Sequence, residues 1–196
     1  ARMTIPQTNF RMGYFINDHY SIAIGVDHMK YVMTQNQTVN VTGTIAIGSE
    51  FDGVYNNTPT VMSEKFLMYE HTDGLNYVNT EFSRHDDISS LFKIRNTDQI
   101  QVNLTEGFGV GLLYPKTNTT LLGKERHDDF HVSGYGTSLK AGLNVTFFKH
   151  FYIQGELKGG YINMQDIRTT QSTEDSASQD FFFLQRLIAF GGIFKI

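Results

Sequence analysis

The sequence predicts an all-β protein, an antiparallel up-and-down barrel, and three observations carry the prediction. Apolar and polar residues alternate over long stretches, which sends successive side chains to opposite faces of a strand. Short links alternate with long ones along the chain. The composition, with 16 Phe and 10 Tyr beside 18 Gly and only 3 Pro, is that of a chain built from strands.

The elements follow in order. Asn9 to Ile16 is joined through Asn17-Asp18 to a strand from Tyr20 to about Met33, in which Tyr20, Ile22, Ile24 and Val26 oppose Ser21, Ala23, Gly25 and Asp27. A long link, about 34–73, is rich in Thr, Asn, Ser and Asp. Next come Gly74 to Arg84 and Ile100 to Tyr114, the latter setting Ile100, Val102, Leu104, Phe108, Val110 and Leu112 against Gln101, Asn103, Thr105, Gly107, Gly109 and Gly111. Between them, Asp86 to Phe92 suits one capped helical turn. After a second long link at 115–130, Tyr135 to Phe147 alternates most regularly, and beyond Lys149-His150 the pattern resumes. There Phe151, Ile153, Leu157 and Tyr161 oppose Gln154, Glu156, Lys158 and Gly160, which reads as a hairpin with a tight turn. A third long link, 165–180, leads to the last strand, Phe181 to Ile196.

Composition excludes several function classes. The 196 residues suit one domain, 1–196. With 16 basic and 20 acidic residues and a net charge of -4 there is no basic surface for nucleic acid. Cysteine is absent, so disulfides and thiolate metal sites do not arise. No apolar run approaches the ~20 residues of a membrane helix.

Short turns on one side and long polar loops on the other are the pattern of a transmembrane barrel in a bacterial outer membrane. The apolar face then meets lipid and the polar face turns inward. A lipocalin-like barrel or a β-sandwich also alternates, but the glycine content of the polar faces argues for the membrane arrangement. Seven strands are visible where such barrels hold an even number. The expectation is eight strands when complete, with the first strand missing and residue 1 lying after the mature N-terminus.

Gly142-Leu143-Asn144-Val145-Thr146-Phe147-Phe148 and Phe151 to Tyr161 resemble the penultimate hairpin of small outer-membrane β-barrel proteins of the Bacteroidota type. Phe190-Gly191-Gly192-Ile193-Phe194-Lys195-Ile196 resembles their closing strand. The resemblance implies recognition by the barrel-assembly machinery, although the chain ends in Ile196 rather than an aromatic. The partners expected are outer-membrane lipid, lipopolysaccharide and other outer-membrane proteins.

Ile188, Phe190, Phe194 and Ile196 are expected to face lipid, with Phe181 to Phe183 at the outer aromatic girdle. An eight-stranded interior is just filled by side chains, so Asp27, Glu81, Lys140, Glu156 and Lys158, with Arg11, are expected to form a paired lumen network, a plug rather than a proton path. Glu106 falls on the lipid face between Leu104 and Phe108, so either a β-bulge turns it inward or that face packs on another protein. In the outer loops His71, Asp73, His127, Asp129 and His131 offer imidazole and carboxylate to a divalent metal, without a motif that fixes them together; no cofactor is expected.

Tyr69-Glu70-His71-Thr72-Asp73-Gly74-Leu75-Asn76 is loosely similar to the His-containing strand of lipid A deacylases, but no nucleophilic Ser stands where that family needs one. Asp175-Ser176-Ala177 matches a Bacteroidota O-glycosylation pattern, and Asn118-Thr119-Thr120 carries no glycan meaning in a bacterium. The expected role is a structural or accessory subunit of a larger envelope complex, not an enzyme. A lipid A hydrolase and a surface-adhesion barrel are the alternatives.

Overall fold

The computed structural model describes residues 8–127 and 130–194, without the side chains of Thr72, Asp73 and His127. In chain order the strands are β1 (Asn9–Phe15), β2 (Tyr20–Val32), β3 (Thr38–Ile45), β4 (Gly53–Val61), β5 (Leu67–Asp87), β6 (Ile100–Leu113), β7 (Asn118–Leu121), β8 (Lys124–His127), β9 (Gly134–Phe147), β10 (Phe151–Arg168) and β11 (Ser176–Gly192). Seven of them pair in the order β1-β2-β5-β6-β9-β10-β11. Every ladder is antiparallel. The fold is therefore all-β and antiparallel. Among the described residues β1 and β11 do not pair with each other, so the ring of backbone hydrogen bonds is not closed.

The sheet nevertheless curls. Lys158 of β10 is ion-paired with Asp27 of β2, although β5, β6 and β9 lie between those strands in the sheet. Short links hold three of the ladders. In the β1–β2 turn the Asn17 Oδ1 accepts from the backbone N–H groups of His19 and Tyr20, both at 2.9 Å, which is the local bonding that makes Asn a turn former. The β9–β10 link takes three residues, 148–150, one more than the sequence reading gave it, and Phe148 and Lys149 both adopt left-handed backbone (φ 53° and 65°). The helical turn between β5 and β6 is a 3-10 turn at Ser89–Phe92, its Ser89 N–H bonded to Asp87 Oδ1 at 2.8 Å.

The long links are more structured than their polar composition predicts. Within 34–73, β3 and β4 form a hairpin in a sheet of their own. Within 115–130, β7 and β8 form a second hairpin laid on the start of β5. The β-branched residues of β3 and β4 suit strands, and along β3 Val39, Val41 and Ile45 alternate with Thr38, Asn40, Thr42 and Thr44. β5 itself starts at Leu67, seven residues before Gly74. At Gly74 the register on β2 shifts, from Met29 opposite Leu75 to Tyr31 opposite His71. Gly74 has φ +110°, and a Cβ there would stand 2.4 Å from the His28 ring, so only glycine carries the strand through this point.

One feature of the sheet organises all the others. From the turn end of each strand the convex face is apolar and exposed: Phe10, Met12, Ile22, Ile24, Val110, Leu139, Ile153, Leu157, Leu184, Ile188 and Phe190 all lie open. Further along the same strands the faces exchange character. On β2 the convex positions become His28 and Lys30 while Met29 turns inward; on β10 they become Asn163 and Gln165 while Ile162 and Met164 turn inward. On β11 Phe181 and Phe183 pack inward and Phe182 alone points out, 84 % exposed. This corrects the expectation that all three belong to an outer girdle.

Candidate functional site: a charge network beneath an apolar plug

The concave face has two floors. On the turn side, strand alternation projects Asp27 (β2), Glu81 (β5), Lys140 (β9), Glu156 and Lys158 (β10) and Arg11 (β1) into one volume. Three cations meet three carboxylates. Glu81 is the hub: Oε2 receives Arg11 Nε at 2.9 Å and Lys140 Nζ at 2.6 Å, and Oε1 receives Lys158 Nζ at 2.7 Å. Arg11 also grips Glu156 with both terminal nitrogens, at 3.1 and 3.2 Å, a bidentate geometry that a lysine cannot supply. Lys158 reaches Asp27 as well, and Asp27 accepts from Asn79 Nδ2 at 3.3 Å. Lys158 and Glu81 are both 0 % exposed.

The network continues toward the turns through neutral groups. Gln154 donates to Glu156 at 2.8 Å, Asn144 donates to Gln154 at 3.2 Å, and Thr146 donates to Asn144 at 2.8 Å. Glycines on β6 make the room. A Cβ at Gly107 would sit 2.7 Å from the Phe82 carbonyl oxygen and 2.9 Å from Lys140 Cε; one at Gly109 would sit 2.8 Å from Ser138 Oγ and 3.2 Å from Glu81 Cγ. The glycines that mark the polar face in the sequence are thus the slots in which the ion pairs lie.

Above this floor the same face is closed by carbon. Met29, Tyr69, Leu75, Tyr77, Leu113, Ile162, Met164 and Ile167 form a buried cluster, flanked by Tyr31, Phe181 and Phe183. Tyr77 joins the floors, donating its hydroxyl proton to the Gly136 carbonyl at 3.1 Å while its ring lies 5.2 Å from the Lys158 ammonium, within cation–π range. The sequence reading missed this cluster because it followed one phase of alternation to the end of each strand. The exchange of polar and apolar positions after Asp27, and again after Lys158, is the signal that locates it.

Glu106 stays on the convex face. The ladders on both sides run through it without a shift, Arg84 opposite it on β5 and Ala141 on β9, so no bulge turns it inward. Arg84 stands beside it and is held by Asp86, with Nε at 2.8 Å from Oδ2 and Nη2 at 3.0 Å from Oδ1. Arg84 in turn pairs across β2 with Tyr20, the first residue of that strand. Glu106 itself stands mid-way along β6 and opposite the middle of β9, so this group of charges starts at the turn end of β2 and reaches into the apolar convex face.

The outer-loop residues do not converge on a metal centre among the described residues. His71 is fully buried, its Nε2 3.1 Å from the Tyr69 hydroxyl and its Nδ1 3.0 Å from the Thr117 hydroxyl. Both ring nitrogens are engaged, and burial pushes its pKa down to about 4 and that of Tyr69 up. The ring is thus held neutral, one nitrogen donating and the other accepting. His131 has Nε2 2.7 Å from the Asp166 carbonyl oxygen. Asp73 and His127, as side chains, and Asp129 fall outside the described residues. Comparison of the chain with protein-family models, with curated proteins and with solved structures finds no match.

Proposed function

We propose that this chain is a small β-barrel of the bacterial outer membrane, eight-stranded when closed, with a filled interior, and that it serves as a structural or accessory subunit of an envelope complex. The observation that carries the reading is the exchange of faces along the strands. On the turn side apolar residues cover the convex surface and ion pairs fill the concave one; on the loop side the arrangement is that of any water-soluble protein. One sheet is thus adapted to two solvents. An apolar belt around a polar interior is stable only if hydrocarbon surrounds it, and exposed apolar patches this extensive do not persist on soluble monomers.

The filled interior favours a structural role over a channel, since the ion pairs are mutually satisfied and carbon closes the space above them. Arg84 and Glu106, side by side on the convex face with Glu106 mid-way along β6, support a protein contact there, because a charged group on the apolar belt is costly against lipid. The lipid A hydrolase alternative gains little from His71, whose neighbouring hydroxyl, Thr117, is as deeply buried as the ring.

The test is to dilute urea-unfolded chain into phosphatidylcholine vesicles and follow β-structure and trypsin resistance. The expected result is a β signal that requires lipid, with cleavage confined to the long links and the strands protected. A folded, monodisperse chain in plain buffer sinks the membrane reading. Mild-detergent extraction from the native membrane then tests the subunit role: stoichiometric companions lost on Glu106→Arg support it, and a lone barrel removes it.

A further inference from the structure

We infer that the outer hairpin is a self-association site, at which β3 of one copy pairs antiparallel with β3 of a second copy about a two-fold axis centred on Asn40. The contact stands on the hairpin alone and goes beyond the envelope reading, which adds only that it lies outside the membrane. Backbone parity comes first. β3 and β4 form a sheet of their own, and among the described residues no other strand pairs with either. Asn40 lies opposite Pro59 in the ladder. Proline has no N–H, so this is one of the ladder's non-hydrogen-bonded pairs. The N–H and C=O of Asn40 therefore point away from β4, to the free edge of β3.

The two edges of the hairpin differ. On β4, Pro59 withholds a donor and Asn57, at φ 52°, sits where the register shifts; both are devices that stop a strand from adding. β3 has no such guard. From Tyr31 to Ser49 the chain holds neither a charged residue nor a proline, and Thr38, Val39, Asn40, Thr42 and Thr44 are all exposed. An open edge that is uncharged and rich in Thr and Val is a template for another strand.

The sequence names that strand. Thr38-Val39-Asn40-Val41-Thr42 reads the same in both directions. Antiparallel pairing of two copies sets Thr38 opposite Thr42, Val39 opposite Val41 and Asn40 opposite itself. Asn40, whose backbone groups already face outward, becomes the hydrogen-bonded pair on the axis. Each Val39 then meets Val41 of the other copy in a non-hydrogen-bonded pair, where side chains stand closest. Thr and β-branched pairs are favourable across strands, whereas a charge near the axis would face its like, and this segment has none.

The join makes a four-stranded sheet with a strip of four valines on one face, where a two-stranded hairpin in water is marginal. The edges left over are those of β4, so assembly closes at two chains. One strand against one strand is smaller than the about 1,000 Å² of a stable dimer. The contact is therefore transient between free chains and gains strength where many copies share a surface.

The chain has no cysteine, so Asn40→Cys places a single thiol on the axis. There the two Cα atoms would stand about 5.5 Å apart, within disulfide reach. The full chain is used in phosphatidylcholine vesicles, or in plain buffer if it holds its β-structure there instead, which keeps the result independent of the barrel reading. Mild oxidation is expected to turn Asn40→Cys into a disulfide-linked dimer. Val54→Cys, on β4 and 80 % exposed, is expected to give less than about a tenth as much. Equal yields from the two, or none from Asn40→Cys, overturn the inference.

Exchanging charges separates this pairing from crowding. Asn40→Lys and Asn40→Asp each set like charges face to face and are expected to abolish Förster transfer between dye-labelled copies, while a mixture of the two variants restores it. Slow exchange of the Val39 and Thr58 amides, which the same parity turns inward between β3 and β4, shows the hairpin intact in each variant; if either has lost it, the cysteine result decides. Transfer that survives Asn40→Lys, or a mixture as low as its parts, overturns the inference.

Discussion

The turn-side and loop-side halves of the concave face are built on the same strands and solve opposite problems. Below, six charged groups from five strands are removed from water and must find each other; above, eight aliphatic and aromatic residues simply leave it. Buried ion pairs gain little net stability, because desolvation consumes most of the Coulomb energy, but breaking one partner leaves an uncompensated charge. Apolar packing gains steadily with area and degrades in proportion to what is removed. The lower half is thus a device for uniqueness, in which only one register of the strands brings Arg11, Glu81 and Glu156 together. The upper half supplies bulk stability and seals the interior. On the membrane reading proposed above, the medium outside sets which half faces which way: apolar surroundings send the charges in, and aqueous ones the carbon.

The largest effect expected to break this contrast is at Glu81. Glu81→Ala removes the acceptor shared by Arg11, Lys140 and Lys158, leaving three cations for two carboxylates, and a loss of about 3–5 kcal/mol is expected. Ile162→Ala in the upper cluster, also fully buried, is expected to cost about 2–4 kcal/mol through the cavity it leaves. Urea midpoints in lipid vesicles measure both. The contrast lies in rescue: Glu81→Ala combined with Lys140→Met restores charge balance and recovers part of the loss, while no second substitution among the charges rescues Ile162→Ala. If Glu81→Ala costs under about 1 kcal/mol, water has entered the lower half and the network is not a plug.

How much of this was legible beforehand follows from the period of a strand. Alternation put Asp27, Glu81, Lys140, Glu156 and Lys158 on polar faces, and because a strand has only two faces, that placed them in one space once the sheet curled. The inward glycines were equally plain. What alternation could not show is a change of phase part-way along a strand. Ile162 and Met164 keep the parity of Glu156 and Lys158 while reversing polarity, and reading Phe181 to Phe183 as one apolar block hid the fact that Phe182 parts from its neighbours. The hairpins β3–β4 and β7–β8 were hidden by the polar composition of their links, in which the short alternation of Val39, Val41 and Ile45 along β3 was passed over.

A smaller effect sharpens the comparison from the upper half. His71, above the belt, is buried and held neutral, with its pKa lowered from 6.5 to about 4. The unfolded chain therefore takes up a proton at a higher pH than the native one. The stability His71 contributes is complete above about pH 6.5, falls as pH drops through the interval to about 4, and is then fully lost. Between pH 7 and pH 5 the expected loss is about 2 kcal/mol. His71→Gln, which keeps a polar group between Tyr69 and Thr117 but does not titrate, flattens that part of the profile. An identical pH dependence in the variant would mean that water reaches the ring, and the upper half would not be the sealed region described.

The smallest effect tests where the comparison ends. The turn between β3 and β4 belongs to neither half, and Asp52 organises it alone, accepting from the backbone N–H groups of Ile47 (3.0 Å), Gly48 (2.9 Å) and Ser49 (3.1 Å). These bonds favour the ionised form and lower its pKa, so the turn is firmest above the ordinary carboxylate range and loosens as pH falls through the depressed value. Asp52→Ala is expected to speed hydrogen exchange of those three amides while leaving the urea midpoint of the curled sheet where it was. A shift of that midpoint would tie the outer hairpin energetically to the plug. Independence would leave the hairpin free, as far as the stability of the sheet goes, to vary in sequence beside a curled sheet whose two inner halves cannot.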